Sequence, residues 1–161
     1  MIGLDVGEAR IGVAAADKLG LTAQGLPTIH RRKPADDLDE IIRLLHERGA
    51  SRLVVGLPKN MNGSIGFQGE KVQMFIDSLL GRIRETGSGE PEVVYWDERL
   101  TTAAAQRTLL EAGLSRKKRK GAVDQLAAVL ILQGYLDKLN LTRPPIESTM
   151  TGNDARYGGT E

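Results

Sequence analysis

The sequence predicts an α/β fold in which helices cover both faces of a mixed β-sheet. Two apolar segments joined by a short Gly-containing turn open the chain at residues 1–16, a pattern typical of an antiparallel hairpin. Segments of strand length then alternate with segments of helical periodicity. The 161 residues are 40% hydrophobic and 27% charged, which is typical of one globular domain with a real core.

The first half of the chain supplies three strands and one helix. The strands are predicted at residues 1–6, 11–16 and 21–29. Because Pro27 has no N–H to donate to a neighbouring strand, the third strand is expected at a sheet edge. Pro34 opens a helix that ends at Gly49. The apolar residues of this helix follow helical spacing and are Leu38, Ile41, Ile42 and Leu45.

The second half alternates strands and helices. Strands are predicted at residues 53–55 and 92–96, and helices after the loop at 57–66, at 101–112 and at 122–140. The last helix is apolar all round between residues 126 and 132, so this part is expected to be buried. Polar residues, prolines and glycines dominate after residue 140. We therefore expect one folded domain at residues 1–140 and a disordered tail at 141–161.

Composition excludes several classes of function. The chain has no cysteine, which rules out disulfides, zinc–thiolate sites and thiol catalysis and suits a reducing cytosol. No apolar run approaches the roughly 20 residues that span a membrane, so no membrane partner is expected. Charged residues interrupt the first apolar run, so we expect no signal peptide. The net charge of +1 leaves only local charge clusters as an argument for a nucleic-acid partner.

Three carboxylates stand near the ends of predicted elements. Asp5 lies in the first strand between Leu4 and Val6, Glu98 closes a later strand, and Asp124 lies in the first turn of the last helix. Ligands of open α/β sheets gather outside the carboxyl ends of the strands, so the three are expected to converge if those strands are neighbours. Acidic triplets without His or Cys suit Mg²⁺ or Mn²⁺, which promote attack on phosphodiesters.

Each carboxylate also has a purely structural explanation. Asp5 would bind turn amides or Arg10, and Glu98 would pair with Arg99 or Arg10 at the surface. Asp124 would complement the helix dipole, a contribution of roughly 0.3–1 kcal/mol. The residues by themselves leave both explanations open.

A run of five adjacent basic residues is the strongest electrostatic feature. It consists of Arg116, Lys117, Lys118, Arg119 and Lys120. Because neighbouring positive charges repel one another, we expect an extended, mobile segment. Its place between Glu98 and Asp124 favours an arm that contacts phosphates beside the metal site, and a solvated linker is the alternative. Aromatic residues make up only 4% of the chain, so extensive base stacking is not expected.

Four motifs, taken in order, resemble a known family. They are LDVGEARIGVA, VVGLPKNMNGS, DERLTT and VDQLAAVLILQGYL. This set resembles the YqgF-type family of Holliday-junction-resolvase-like proteins, the pre-16S ribosomal RNA nucleases with a ribonuclease-H-like fold. The resemblance covers residues 2–139. It implies a five-stranded mixed sheet with the second strand antiparallel, and trimming of the 5′ end of precursor 16S rRNA in the bacterial cytoplasm with Mg²⁺ or Mn²⁺.

The resemblance also assigns residues to the site. The implied catalytic metal ligands are Asp5, Glu98 and Asp124. The residues implied around them are Arg10, Lys59, Asn60, Arg99 and Thr102. Adjacent strand residues point to opposite faces, and the resemblance favours Glu98 over Asp97. A fourth carboxylate, common in enzymes of this fold, is missing because Gly121 and Ala127 occupy the positions one turn from Asp124. We therefore expect weak metal binding before substrate arrives.

Three other functions are weighed against this one. A resolvase-like DNase makes two symmetric cuts and calls for a two-fold dimer with a large self-complementary face. Nothing in the sequence demands such a face, so RNA and a monomer are favoured, and branched DNA and a dimer stay open. A non-catalytic RNA-binding or assembly factor also stays open. An ATP-binding protein of the actin and sugar-kinase type needs two such domains, and the chain has length for one.

Overall fold

The computed structural model describes residues 1–101, 113 and 116–143, with the backbone alone for residues 100 and 116–124. The strands are β1 Ile2–Val6, β2 Arg10–Ala16, β3 Ala23–His30, β4 Arg52–Leu57 and β5 Glu92–Asp97. The helices are α1 Pro34–Glu47, α2 Phe67–Glu85 and α3 Arg116–Thr142, and a 3-10 turn at Glu98–Leu100 follows β5. Within these residues no helix is long and apolar enough to cross a membrane.

The five strands form one mixed sheet in the order β3-β2-β1-β4-β5. β2 is antiparallel to both β1 and β3, whereas β1, β4 and β5 are parallel to one another. The predicted mixed sheet with an antiparallel second strand is confirmed, and β3, which contains Pro27, lies at an edge as expected. Because β1, β4 and β5 are parallel, their last residues meet at one side of the sheet, called here the C-terminal edge.

Helices pack on both faces of the sheet. α1 and α2 cover one face, and the core there includes Ile2, Leu4, Ile41, Leu53, Val55, Ile76 and Leu79. α3 covers the other face, and its residues in the core there include Ala128, Ile131, Leu132 and Leu136. α3 approaches β1 closely, because a Cβ on Gly3 would lie only 2.8 Å from Cβ of Leu132. Side chains alternate along a strand, so Leu4 points to α1 and α2 and Asp5 points to the face that α3 covers.

The last helix differs from its prediction at both ends. It runs from Arg116 to Thr142 instead of 122–140, so the expected extended linker is wrong and the basic run forms the first turns of α3. Lys and Arg are good helix formers, and each residue added to an existing helix gains a hydrogen bond. The hydrogen bonds gained by extending the helix outweigh the repulsion among the five cations, because salt screens that repulsion. The helix also passes the predicted domain boundary at residue 140 by two residues.

Two further expectations need comment. The segment 126–132 is not buried all round, because α3 lies on the sheet with one side and leaves Leu126, Val129 and Leu130 half-buried. The predicted helix at 101–112 and the tail beyond residue 143 lie outside the described residues, apart from Thr101.

Candidate metal-binding site

The fold brings two of the three predicted carboxylates into contact. Asp5 is the next-to-last residue of β1, and Glu98 directly follows the last residue of β5. Their carboxyl groups are hydrogen-bonded to each other, although β4 lies between the two strands. The pair therefore sits at the C-terminal edge, where α/β sheets usually bind their ligands.

Gly56 of β4 makes this contact possible. A Cβ on Gly56 would lie 3.1 Å from Oε1 of Glu98 and 2.5 Å from Cδ1 of Ile131. Ile131 belongs to α3, so the Glu98 carboxyl lies on the same sheet face as Asp5. The missing side chain leaves room for Glu98 to reach across β4. The strand predicted at residues 53–55 stops just before Gly56, and no local signal in the sequence marks the room that this glycine leaves for Glu98.

The environment of the pair changes the chemistry of Glu98. The pKa of Glu98 is raised to about 9. Burial is the largest cause, and the hydrogen bond to Asp5 and the negative charge of Asp5 add to it. At neutral pH Glu98 therefore keeps a proton, which it donates to Asp5 in the hydrogen bond between the two carboxyls. A hard divalent cation prefers carboxylate oxygens and can take the place of that proton, so the donor set fits such an ion.

Asp97, the neighbour of Glu98, faces a different partner. Its carboxylate accepts hydrogen bonds from the backbone N of Arg99 at 3.1 Å and from Nη2 of Arg99 at 2.6 Å. The hydrogen bond from the Arg99 side chain lowers the pKa of Asp97. The surface pairing of Glu98 with Arg99 is therefore wrong, because that guanidinium binds Asp97. Of the two adjacent acids, Glu98 is the one that reaches Asp5.

A 3-10 turn fixes the main chain at Glu98. The backbone N and Oγ1 of Thr101 both donate to the carbonyl oxygen of Glu98, at 3.1 and 3.0 Å. Thr101 is buried, so this double contact is protected from water. Sequence reasoning placed Thr101 at the start of a helix and missed the turn that it closes.

Arg99 links the site to the loop between β4 and α2, called here the β4–α2 loop (residues 58–66). Nη1 of Arg99 lies 3.4 Å from the carbonyl oxygens of both Asn60 and Met61. The positive charge of Lys59 contributes to the lowered pKa of Asp97, so Lys59 also belongs to this neighbourhood. The structure thus groups three predicted site residues, Lys59, Asn60 and Arg99, next to Asp97, the neighbour of Glu98.

The turn that carries Arg10 is held from outside by Arg31. The backbone N of Arg31 donates to the carbonyl oxygen of Ala9 at 3.0 Å, and Nη1 of Arg31 donates to that of Gly7 at 2.9 Å. Arg31 is itself anchored to the buried Asp37, whose Oδ2 lies 3.4 Å from Nε. Sequence reasoning missed this tether, because the residues of the tether look like an ordinary polar connection before a helix.

The remaining predicted site residues are only partly placed. Asp124 lies more than two turns from the start of α3, so the explanation by the helix dipole, which acts within the first turn, is wrong. The side chains of residues 116–124, and Thr102 as a whole, lie outside the described part of the chain. Among the described side chains no group of three or more His, Cys, Asp or Glu could hold a metal.

Curated relatives match most of this chain in sequence. A curated relative from Clostridium novyi (strain NT), provisionally named pre-16S rRNA nuclease, is 50% identical over 139 residues, which cover 86% of this chain and 98% of the relative. A protein with the same provisional name from Clostridioides difficile (strain 630) is 52% identical over 141 residues, covering 87% of this chain and 96% of the relative.

Among solved structures, T. thermophilus RuvC in complex with a Holliday junction substrate superposes with a TM-score of 0.52 at 16% identity, covering 89% of this chain and 99% of that chain. At this identity the likeness shows the fold alone, which is ribonuclease-H-like. The family model described as RuvX, Holliday junction resolvase, matches residues 1–138. The chain therefore belongs to the RuvX family, as its four sequence motifs implied.

Proposed function

We propose that this protein is a metal-dependent nuclease that hydrolyses phosphodiester bonds at the C-terminal edge of its sheet. The observation that carries the proposal is the hydrogen-bonded contact between the carboxyls of Asp5 and Glu98, two acids that are far apart in sequence. Relatives of about half-identical sequence that bear the name of nuclease support the same chemistry. Asp5, Glu98 and Asp124 would be the catalytic metal ligands.

The register of α3 supports Asp124 as the third ligand. Residues four apart lie on one side of a helix, so Asp124, Ala128 and Leu132 share a side. Leu132 and the carbonyl oxygen of Ala128 both border Gly3 of β1, two residues before Asp5. Asp124 therefore lies on the same side of α3 as the residues that pack against β1.

The chain's own residues would each have a defined part in the reaction. When bound, Mg²⁺ or Mn²⁺ would supply the Lewis acidity that polarises the phosphodiester and makes water a strong nucleophile. Glu98 must release its proton before it can serve as a ligand. Thr101 fixes the main chain at Glu98, and Gly56 leaves room for its carboxyl. Lys59, Arg99 and the basic start of α3 would hold the phosphates of the substrate strand.

We propose RNA as the substrate, with the 5′ end of precursor 16S rRNA in the cytoplasm as the target and a monomer as the active form. The name shared by the two curated relatives supports RNA. Cleavage of branched DNA is the second candidate, because the family description names a Holliday junction resolvase and the similar RuvC structure holds a junction.

A cleavage assay separates these substrates. Purified protein is incubated with 5′-labelled precursor 16S rRNA, an unrelated single-stranded RNA and a four-way DNA junction, each with Mg²⁺, Mn²⁺ or EDTA. We expect a cut in the precursor RNA that EDTA abolishes. Paired symmetric nicks in the junction with intact RNA would overturn the choice of substrate and leave the metal chemistry standing. No cleavage of any substrate in either metal would overturn the proposed function.

A further inference from the structure

We propose that the β4–α2 loop and the first residue of α2 form a contact surface for unpaired bases of the substrate strand, with Met61 and Phe67 as the contact residues. This inference rests on the proposed function and goes beyond it by naming which chemical part of the nucleic acid this surface recognises. It also gives a role to apolar residues that the phosphate-binding groups of the site do not use.

The first observation is exposure. Met61 is 100% exposed and Phe67 is 70% exposed, and Ile65 between them is also exposed. Single exposed apolar residues are common on protein surfaces. Three large exposed apolar residues within a stretch of seven, at the edge of a candidate site, are less common than single ones. Such patches often mark interaction surfaces.

The second observation is that the loop is internally braced with its apolar tip facing outward. The backbone N of Asn60 donates to the carbonyl oxygen of Ser64 at 2.8 Å, and the N of Gly63 donates to that of Asn60 at 2.9 Å. The Asn60 amide also packs against Gly66, where a Cβ would lie 2.7 Å from its Oδ1. The polar groups are thus used within the loop, and Met61 is held out in water. A braced contact surface loses little conformational entropy when it binds.

The third observation is continuity with the acidic pair. The loop follows β4, the strand between those that carry Asp5 and Glu98. Nη1 of Arg99, one residue after Glu98, lies 3.4 Å from the Met61 carbonyl oxygen. A strand whose phosphate lies at the acidic pair is therefore expected to pass next to this loop.

The fourth observation is the charge around the apolar residues. Nζ of Lys71 lies 4.5 Å from the centre of the Phe67 ring and 2.9 Å from Oε1 of Glu8, and Lys59 and Arg99 lie near the carboxylate of Asp97, the neighbour of Glu98. Proteins that bind unpaired nucleic acid combine cations with apolar surfaces. The cations contact the phosphates, and flat or polarisable side chains contact the bases. In a duplex the base faces are already stacked, so this surface favours an unpaired strand.

Binding to an abasic strand tests the inference most sharply. In a Glu98→Gln background, fluorescence anisotropy would give the Kd for a single-stranded RNA, an abasic strand of the same length and a duplex. Phe67→Ala is expected to weaken binding of the single strand roughly tenfold, within the range known for loss of one stacked base, and Met61→Ala less. Binding of the abasic strand and the salt dependence should not change. Phe67→Trp should restore affinity.

Leu19→Ala is the matched control, because Leu19 is also a large apolar residue, is 72% exposed, and follows the end of β2 at the opposite edge of the sheet. It should leave all three affinities unchanged. Equal losses on the normal and abasic strands, or no loss at all, would overturn the inference. A second contrary result would be a concentration-dependent dimer of the wild type in sedimentation that Met61→Ala abolishes. In that case the surface would bind a second copy of the chain rather than nucleic acid. These binding outcomes do not depend on cleavage, so they are separate from failure of the proposed function.

Discussion

At the scale of single residues, Glu98 shows how the fold changes the chemistry of a side chain. A free glutamate is ionised at neutral pH, but burial beside Asp5 raises the pKa of Glu98 to about 9. Keeping two carboxyls this close without a cation works against folding once both are charged. The same arrangement would favour a bound cation, which fits the proposed role of Glu98 as a metal ligand.

This raised pKa makes the stability of the metal-free protein depend on pH. The folded chain keeps a proton on Glu98 that the unfolded chain loses near the ordinary pKa of 4.5, so stability is full below that value and is lost as the pH rises toward about 9. Glu98→Gln removes the effect. In EDTA at about pH 8–9 the variant should melt at least about 2 °C above the wild type, and the difference should shrink toward pH 5. A wild type that is more stable than the variant at the alkaline end would contradict this.

At the scale of elements, the β1–β2 hairpin depends on a tether from outside it. Arg31 binds the carbonyl oxygens of Ala9 and Gly7, at the two sides of the turn, and Asp37 anchors its guanidinium. The hairpin carries both Asp5 and Arg10, so a small shift of this turn would move Asp5, a proposed metal ligand. Positioning errors near 1 Å can lower catalytic rates about a hundredfold.

Arg31→Lys should therefore slow cleavage without weakening RNA binding. Lysine keeps the charge but has no fork that can reach Gly7 and Asp37 together. We expect roughly a tenfold lower single-turnover rate, a Kd for RNA within about twofold, and faster amide exchange at residues 7–10. Arg43→Lys is the control, because Arg43 pairs with Glu40 and Glu47 on the exposed side of α1. Equal rates for the two variants would show that the tether has no catalytic role.

The helical start of α3 changes what the basic run is expected to do. Successive residues of a helix point in directions about 100° apart, so five adjacent cations cannot all face one strand. Replacing Lys117, Lys118 and Lys120 with Ala should weaken RNA binding and reduce the salt slope by about 1–2, rather than by more. Lys18→Ala is the control, because Lys18 follows the end of β2 at the opposite edge of the sheet. An unchanged slope would show that the run is only a solvated surface.

At the scale of the whole molecule, hydrophobic periodicity was enough to predict the layers of the fold. Alternation of strands and amphipathic helices predicted a sheet covered on both faces, and Pro27 predicted an edge strand. The four motifs pointed to the family that the comparisons then showed. These features are local in the chain, so a single sequence carries them.

The features that escaped prediction are contacts between distant parts of the chain. The room that Gly56 leaves for Glu98 depends on β1, β4, β5 and α3 together, and the Arg31 tether depends on the packing of α1 beside the hairpin. The helical basic run was mispredicted because charge repulsion was weighed without the helix that continues from it. No short stretch of the sequence contains all the residues that form these contacts.

The most direct test of the central claim compares Glu98→Gln with Asp97→Asn in single-turnover cleavage of 5′-labelled precursor RNA at saturating Mg²⁺. The two substitutions make the same chemical change in adjacent residues, but only Glu98 contacts Asp5, whereas Asp97 binds Arg99. Glu98→Gln is expected to lower the rate by a factor of about a thousand or more, while Asp97→Asn keeps a rate within about tenfold of the wild type. Substantial cleavage by Glu98→Gln, or equal losses in both variants, would contradict a metal site built on Asp5 and Glu98.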